Sequence, residues 1–259
     1  MKCQEIITIL QKQAPEQYAC EWDNVGLLVG DANKEVQKVY IALDATEETI
    51  EEAVALGADM LLTHHPMIFK GIKKVNTDDF TGKRVVSLIR ADMAYYAMHT
   101  NFDVKGMAEL AAEKIGLTDC KVLEVTCEDE QGLQGIGKVG TVSSMSVRDC
   151  AELVKKAFHL EQVKVFGDLD AKITRAAICP GSGKSVIGEA LKSGAQVLIT
   201  GDIDHHEGID AAARKMAVID AGHYGIEKIF IPYMKQYLEE NTTGLTILEQ
   251  PEKQPFVYI

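Results

Sequence analysis

Residues 38–65 recur without a gap at residues 175–202, displaced by 137 positions. Eight of the 28 aligned positions are identical: Ile41/Ile178, Ile50/Ile187, Glu52/Glu189, Ala53/Ala190, Gly57/Gly194, Ala58/Ala195, Leu61/Leu198 and Thr63/Thr200. Ordinary composition gives roughly two. Such a repeat constrains the fold more than any single motif, because both copies must satisfy the same local structure. Each copy reads as a β-α-β unit. In the first, Val39 to Leu43 is an apolar strand candidate, and Asp44-x-x-Glu47 has capping-box spacing. Ile50, Ala53, Val54 and Leu56 then form an apolar helical face that Gly57 stops. The run from Met60 to Leu62 predicts a buried strand, which ends near Pro66 because proline cannot extend a central strand. Consecutive units of this kind imply parallel pairing through a right-handed crossover. The expected fold is α/β, with two related halves arising by internal duplication in a sandwich-like α/β/α arrangement.

The remaining elements fit around these copies. Ile6, Ile7 and Leu10 predict a helix over 3–13, and Leu27 to Val29 a short strand after a polar loop. Trp22, the sole tryptophan, is expected to cover a core edge. Glycines 132, 135, 137 and 140 break up residues 131–140, leaving Val139 to Val142 as a strand. Ser146-x-x-Asp149 caps a helix through Val147, Ala151, Val154 and Phe158. A last helix runs through Ile231, Met234 and Leu238, with Pro232 tolerated near its start. Leu245 to Leu248 reads as an edge strand, and Glu249 to Gln254 as a loosely held tail. The expected divisions are 1–125 for the first half, 126–221 for the second, and 222–259 for a C-terminal segment that packs on the first half.

Charge and cysteine usage narrow the function classes. With 27 basic against 39 acidic residues the net charge is −12, which argues against a nucleic-acid partner. No apolar run approaches the roughly 20 residues of a membrane span. Glu5 and Gln11 interrupt the stretch where an export signal would be apolar. The six cysteines form no C-x-x-C and read as reduced thiols, so a cytoplasmic location is expected.

The chemistry gathers at strand ends. His64 and His65 sit at the carboxyl end of their strand, the edge that faces the ligand crevice in open α/β sheets. Neutral imidazole is a strong metal ligand. His99-x-x-x-Asp103 and His223-x-x-x-Glu227 follow two further strand candidates at matching places in the two halves. Residues four apart share a helical face, so each pair can act together, and the repetition points to a metal site. In the second copy Gly201-Asp202 stands where the first has His64-His65. Gly181-Ser182-Gly183-Lys184-Ser185 superficially resembles a phosphate-binding loop, but Ile178 occupies the position where a Walker A motif needs glycine. A tight strand-to-helix turn is expected instead. His205 and His206 read as a solvated helix start, and Tyr224 as a packing residue.

Together, Thr63-His64-His65-Pro66, His99-x-x-x-Asp103 and Gly222-His223-x-x-x-Glu227 resemble the GTP cyclohydrolase 1 type 2 homologue family, the Nif-three-like dinuclear-metal proteins. Asp23-Asn24-Val25-Gly26-Leu27 is similar to that family's N-terminal signature, and Pro180-Gly181-Ser182-Gly183 to its second glycine loop. The resemblance covers nearly the whole chain, in the short form without an inserted middle domain. It implies two related α/β halves with a pair of metal ions between them, and a toroidal homohexamer built as a trimer of dimers. It implies His64, His65, Asp103, His223 and Glu227 as ligands of two divalent ions, of which Zn, Fe, Mn and Ni all suit mixed imidazole and carboxylate ligation. A bridging carboxylate offsets the repulsion between two cations, and Glu227 is the candidate. His99 is a motif residue rather than a ligand, suited to orienting Asp103 or to proton transfer. The implied activity is metal-dependent hydrolysis of a small nucleotide-like substrate; the alternative is a metal-binding, metal-delivery or regulatory hexamer without turnover.

Overall fold

In chain order the elements are α1 (Cys3–Gln13), β1 (Gly26–Val29), β2 (Lys38–Asp44), α2 (Glu47–Ala55), β3 (Met60–His65), α3 (Phe80–Arg90), β4 (Ala94–Ala97) and α4 (Thr100–Phe102). A π-helical turn (Asp103–Met107) leads into α5 (Ala108–Lys114), followed by β5 (Thr118–Asp129), β6 (Gly132–Ser146), α6 (Val147–Phe158), β7 (Lys164–Phe166) and β8 (Lys172–Ser182). Then come α7 (Ile187–Lys192), β9 (Val197–Gly201), α8 (His205–Ala213), β10 (Ala217–Asp220), α9 (His223–Glu227), α10 (Phe230–Asn241) and β11 (Thr246–Glu249). The structure is a computed structural model and describes residues 1–257 and 259. Two units separate: Met1–Phe102 with Phe230–Lys253, and Asp103–Ile229 with the described tail from Gln254. These bounds differ from the sequence-based divisions at 125/126 and 221/222. The reason is that β5 pairs along its length with β6 in the second sheet, while β11 pairs with β2 in the first.

The duplication is written into the topology. The first sheet has the order β1-β4-β3-β2-β11 and the second β5-β6-β8-β9-β10-β7. Within them β1-β4-β3-β2 and β7-β10-β9-β8 correspond strand for strand: three parallel strands with an antiparallel strand at the edge. The register agrees as well. Val39 pairs with Met60 in the first sheet and Ala176 with Val197 in the second, positions related by the same 137-residue offset.

Each sheet has its own apolar cluster. In the first unit Tyr40, Ala42, Ile50, Ala53, Leu61, Leu88 and Tyr95 pack together. In the second, Val139, Ala177, Cys179, Val186, Ile187, Ala190, Leu198 and Val218 do so. Strands β3 and β9 are buried along nearly their whole length, which is why they read as continuous apolar runs instead of alternating ones.

Three local expectations change. The cap of α2 is Thr46, whose side chain accepts from the Thr49 amide, because Asp44 is occupied by the ring of His65. The glycine-rich stretch from 132 to 140 is the strand β6, not a break. A Cβ at Gly135 would lie 1.9 Å from the Glu124 carbonyl oxygen, and one at Gly140 2.5 Å from that of Thr118, so these glycines permit close strand approach. Trp22 is mostly exposed, at 63%, instead of packed over the core. The Ser146/Asp149 capping box forms as expected, and Pro232 lies in the first turn of α10.

Candidate metal centre

In the first unit, three histidines come together where β3 and β4 end. Strand β3 carries His64 and His65 as its last two residues, and His99 follows β4 by two. Each of the three offers one ring nitrogen, and these nitrogens lie within 4.8 Å of one another. His64 is fully buried, against the rings of Phe102 and Phe230 at 6.3 and 5.3 Å.

Every ring is oriented through Nδ1. His64 Nδ1 lies 2.7 Å from the Met98 carbonyl oxygen, His65 Nδ1 2.8 Å from Asp44 Oδ1, and His99 Nδ1 2.9 Å from Asp23 Oδ1. These acceptors make Nδ1 the donor nitrogen, which leaves the lone pair on Nε2. This is the outer-partner arrangement that fixes the tautomer of a metal-binding imidazole. The turn after His65 is fixed too. Tyr95 Oη donates to the His65 carbonyl at 3.0 Å and accepts from the Met67 amide at 2.9 Å. Burial pushes this hydroxyl up to about 12, against hydrogen bonds from Thr63 and Met67 that lower it, so it stays protonated.

Asp23 carries a role that sequence reasoning missed. It was visible only as part of a signature motif. Its carboxylate also accepts from the Thr100 amide at 3.0 Å and from Thr100 Oγ1 at 2.5 Å. Burial alone would raise its pKa, but the hydrogen bond and charge of His99 and the hydrogen bonds from Thr100 outweigh burial and bring it down to about 2. A carboxyl held below its ordinary value stabilises the fold fully above that value, and the contribution fades as pH falls toward the folded pKa. Asp23→Asn is therefore expected to cost ~2 kcal/mol at pH 7. Urea unfolding in chelator should show this gap roughly halved at pH 3; a gap independent of pH contradicts the assignment.

The second unit, described by itself, holds Asp103, His223 and Glu227. Asp103 opens the π-helical turn, a form of helix that recurs at functional sites. His223 and Glu227 are the first and last residues of α9, and Nε2 of one lies 2.9 Å from Oε2 of the other, as the four-residue spacing predicts. His223 Nδ1 is held by Asp202 at 2.8 Å. Glu227 is buried, and both Asp103 and Glu227 bear on the thiol of Cys179, which is pushed up first by burial and then by these two charges. Gly181 makes room for Glu227: a Cβ there would lie 2.4 Å from Glu227 Oε1.

The two copies diverge at one place for a structural reason. Where the first copy has His64, the second has Gly201, and a Cβ on Gly201 would lie 2.5 Å from the His223 backbone nitrogen. Where the first has the ring of His65, the second has Asp202, which orients His223. In the second copy Gly201 and Asp202 thus seat α9 where the first copy carries two histidines.

Other sequence-predicted residues lie outside this arrangement. Lys184 is paired with Asp204 at 3.1 Å and Glu207 at 2.7 Å, and Ser182 ends β8, consistent with a strand-to-helix turn. His205 and His206 begin α8 and are exposed, and Tyr224 is buried.

The model of the Duf34/NIF3 (NGG1p interacting factor 3) family matches residues 1–255. The chain belongs to the DUF34/NIF3 family. A GTP cyclohydrolase 1 type 2 homolog of Lactococcus lactis is 37% identical over 98% of this chain and 97% of that one. Another, of Clostridium perfringens, is 34% identical over the full length of both. Among solved structures, a Bacillus cereus protein related to NIF3 superposes with a TM-score of 0.91 at 26% identity, over 100% of this chain and 99% of that one. Reduced HcgD from Methanocaldococcus jannaschii does so with 0.84 at 32% identity, over 96% and 97%. For this DUF34/NIF3 protein the matches run through both units, and the His64, His65 and His99 group could hold a metal ion. Among the described residues no helix is long and apolar enough to cross a membrane.

Proposed function

We propose that the protein binds two divalent metal ions through His64, His65, Asp103, His223 and Glu227, and uses them in hydrolysis of a small nucleotide-like substrate. The observation that carries this reading is the Nδ1 engagement of His64, His65 and His223 by Met98, Asp44 and Asp202. Side chains with a merely structural role need no common tautomer; metal ligands do. The donor set fits the ions: imidazole nitrogen and carboxylate oxygen suit Zn, Fe, Mn or Ni, and five donors for two ions leave positions for exchange. Bound ions would lower the pKa of a water and polarise a scissile group.

The chain's own residues divide the remaining work. Glu227 is the candidate bridge; its buried carboxylate is held against His223, and Gly181 leaves room for it. His99 stands beside the other two imidazoles without a place in the ligand set, and Asp23 fixes its Nδ1. Its Nε2 is then the atom that takes up or delivers a proton. Metal-loaded protein, its chelated form and Asp103→Asn should be compared on a panel of nucleotides and phosphoesters. Turnover should fall at least about a hundredfold on chelation and in the variant. Turnover insensitive to both would overturn hydrolysis in favour of a metal-binding or metal-delivery protein.

The assembly proposed is a homohexamer, a trimer of dimers, on the family relationship. Sedimentation should give six chains of 28.4 kDa, and a stable monomer contradicts it. A cytoplasmic location is proposed on the six free cysteines.

A further inference from the structure

Two of the first unit's exposed aromatic side chains lie beside one imidazole. Trp22 is 63% exposed and Phe69 48%. Both rings nevertheless meet the same imidazole edge-on: Trp22 with a centroid 5.9 Å from that of His99 at 75°, and Phe69 at 5.5 Å and 90°. The loops that carry them are tied together by Asn24, whose side-chain amide donates to the Ile68 carbonyl at 2.6 Å. His99 is in turn fixed by the fully buried carboxylate of Asp23. The three rings are therefore a built cluster, with His99 anchored by Asp23 and both Trp22 and Phe69 exposed. The loop also carries charge. Between Pro66 and Asp79 it has Lys70, Lys73 and Lys74, all exposed, ahead of Asp78 and Asp79 at its far end, in a chain whose net charge is −12.

We infer that Trp22 and Phe69 form a platform for a planar heteroaromatic ring bearing an anionic group, seated beside His99. Exposed aromatic faces bind such rings by stacking whatever the ring's identity, and nearby lysines favour an anionic substituent. The platform deepens the reading above by naming what the site would hold, and it rests on that reading for its place next to the metal ions, though its binding is measured without turnover.

Trp22 is the only tryptophan, so intrinsic emission reports directly on the platform. Full-length, metal-loaded protein should be titrated with GMP, guanosine and ribose 5-phosphate, with absorbance corrected. Saturable quenching is expected with GMP, weaker binding with guanosine, and none with ribose 5-phosphate. Phe69→Ala should raise the Kd for GMP about tenfold, and Phe69→Tyr should restore it. The inference is overturned by non-saturable quenching, by equal response to ribose 5-phosphate, by guanosine binding as tightly as GMP, or by an unchanged Kd in Phe69→Ala. Metal content measured on the same samples separates the two proposals. Normal metal without quenching removes the platform alone, and quenching in protein that takes up no metal removes the metal centre alone.

Discussion

Replacing Gly181 by alanine is expected to lower metal affinity about a hundredfold and to cost about 1–3 kcal/mol of stability. Two independent penalties meet at this residue. Its φ of +74° lies in the left-handed region, which L side chains adopt only with strain. The added Cβ would also fall 2.4 Å from Glu227 Oε1 and 3.7 Å from His223 Nε2. The backbone has little room to retreat, since the Gly181 carbonyl accepts from the buried Thr200 hydroxyl at 3.3 Å. Glu227 must yield, and with it the proposed bridge. Competition against a chromophoric chelator, together with urea unfolding, reads both effects. A variant with wild-type metal affinity would show that Glu227 is not a ligand in its present position.

The second large effect belongs to a residue outside the ligand set. Asp44→Ala is expected to weaken metal binding by about 10–100-fold through loss of the partner that orients His65. The stability change should be small, because the Asp44 side chain is 48% exposed and solvent screens its contact with the ring. Asp44→Asn keeps an acceptor for Nδ1 and should recover part of the affinity. Equal loss in both variants, or loss of stability without loss of affinity, would contradict an orienting role.

Much of this was legible from residue patterns. The 137-residue repeat carried the parallel pairing of β2 with β3 and of β8 with β9, because β-α-β units with matching apolar periods leave few alternatives. The ligand candidates stood out because histidine and carboxylate recur four apart at equivalent strand ends. The orienting partners were less legible. Asp44 looked like a helix cap, and only the pairing of β2 with β3 puts it opposite His65. Asp23 lies 76 residues from His99, so no local rule links them. The glycines of β6 suggested a break because their purpose, close strand approach, appears only when β5 is in place. Trp22 was expected to cover a core edge because tryptophan is buried on average; its exposure beside His99 is what suggests a ligand.

The most direct measurement is metal content. Elemental analysis of the purified chain, set beside Glu227→Ala prepared identically, counts the ions and tests the carboxylate assigned to bridge them. The account predicts two divalent ions per chain in the wild type and no more than about one in the variant, since a pair of cations is not held together without the bridging charge. Two ions per chain retained in Glu227→Ala would contradict it.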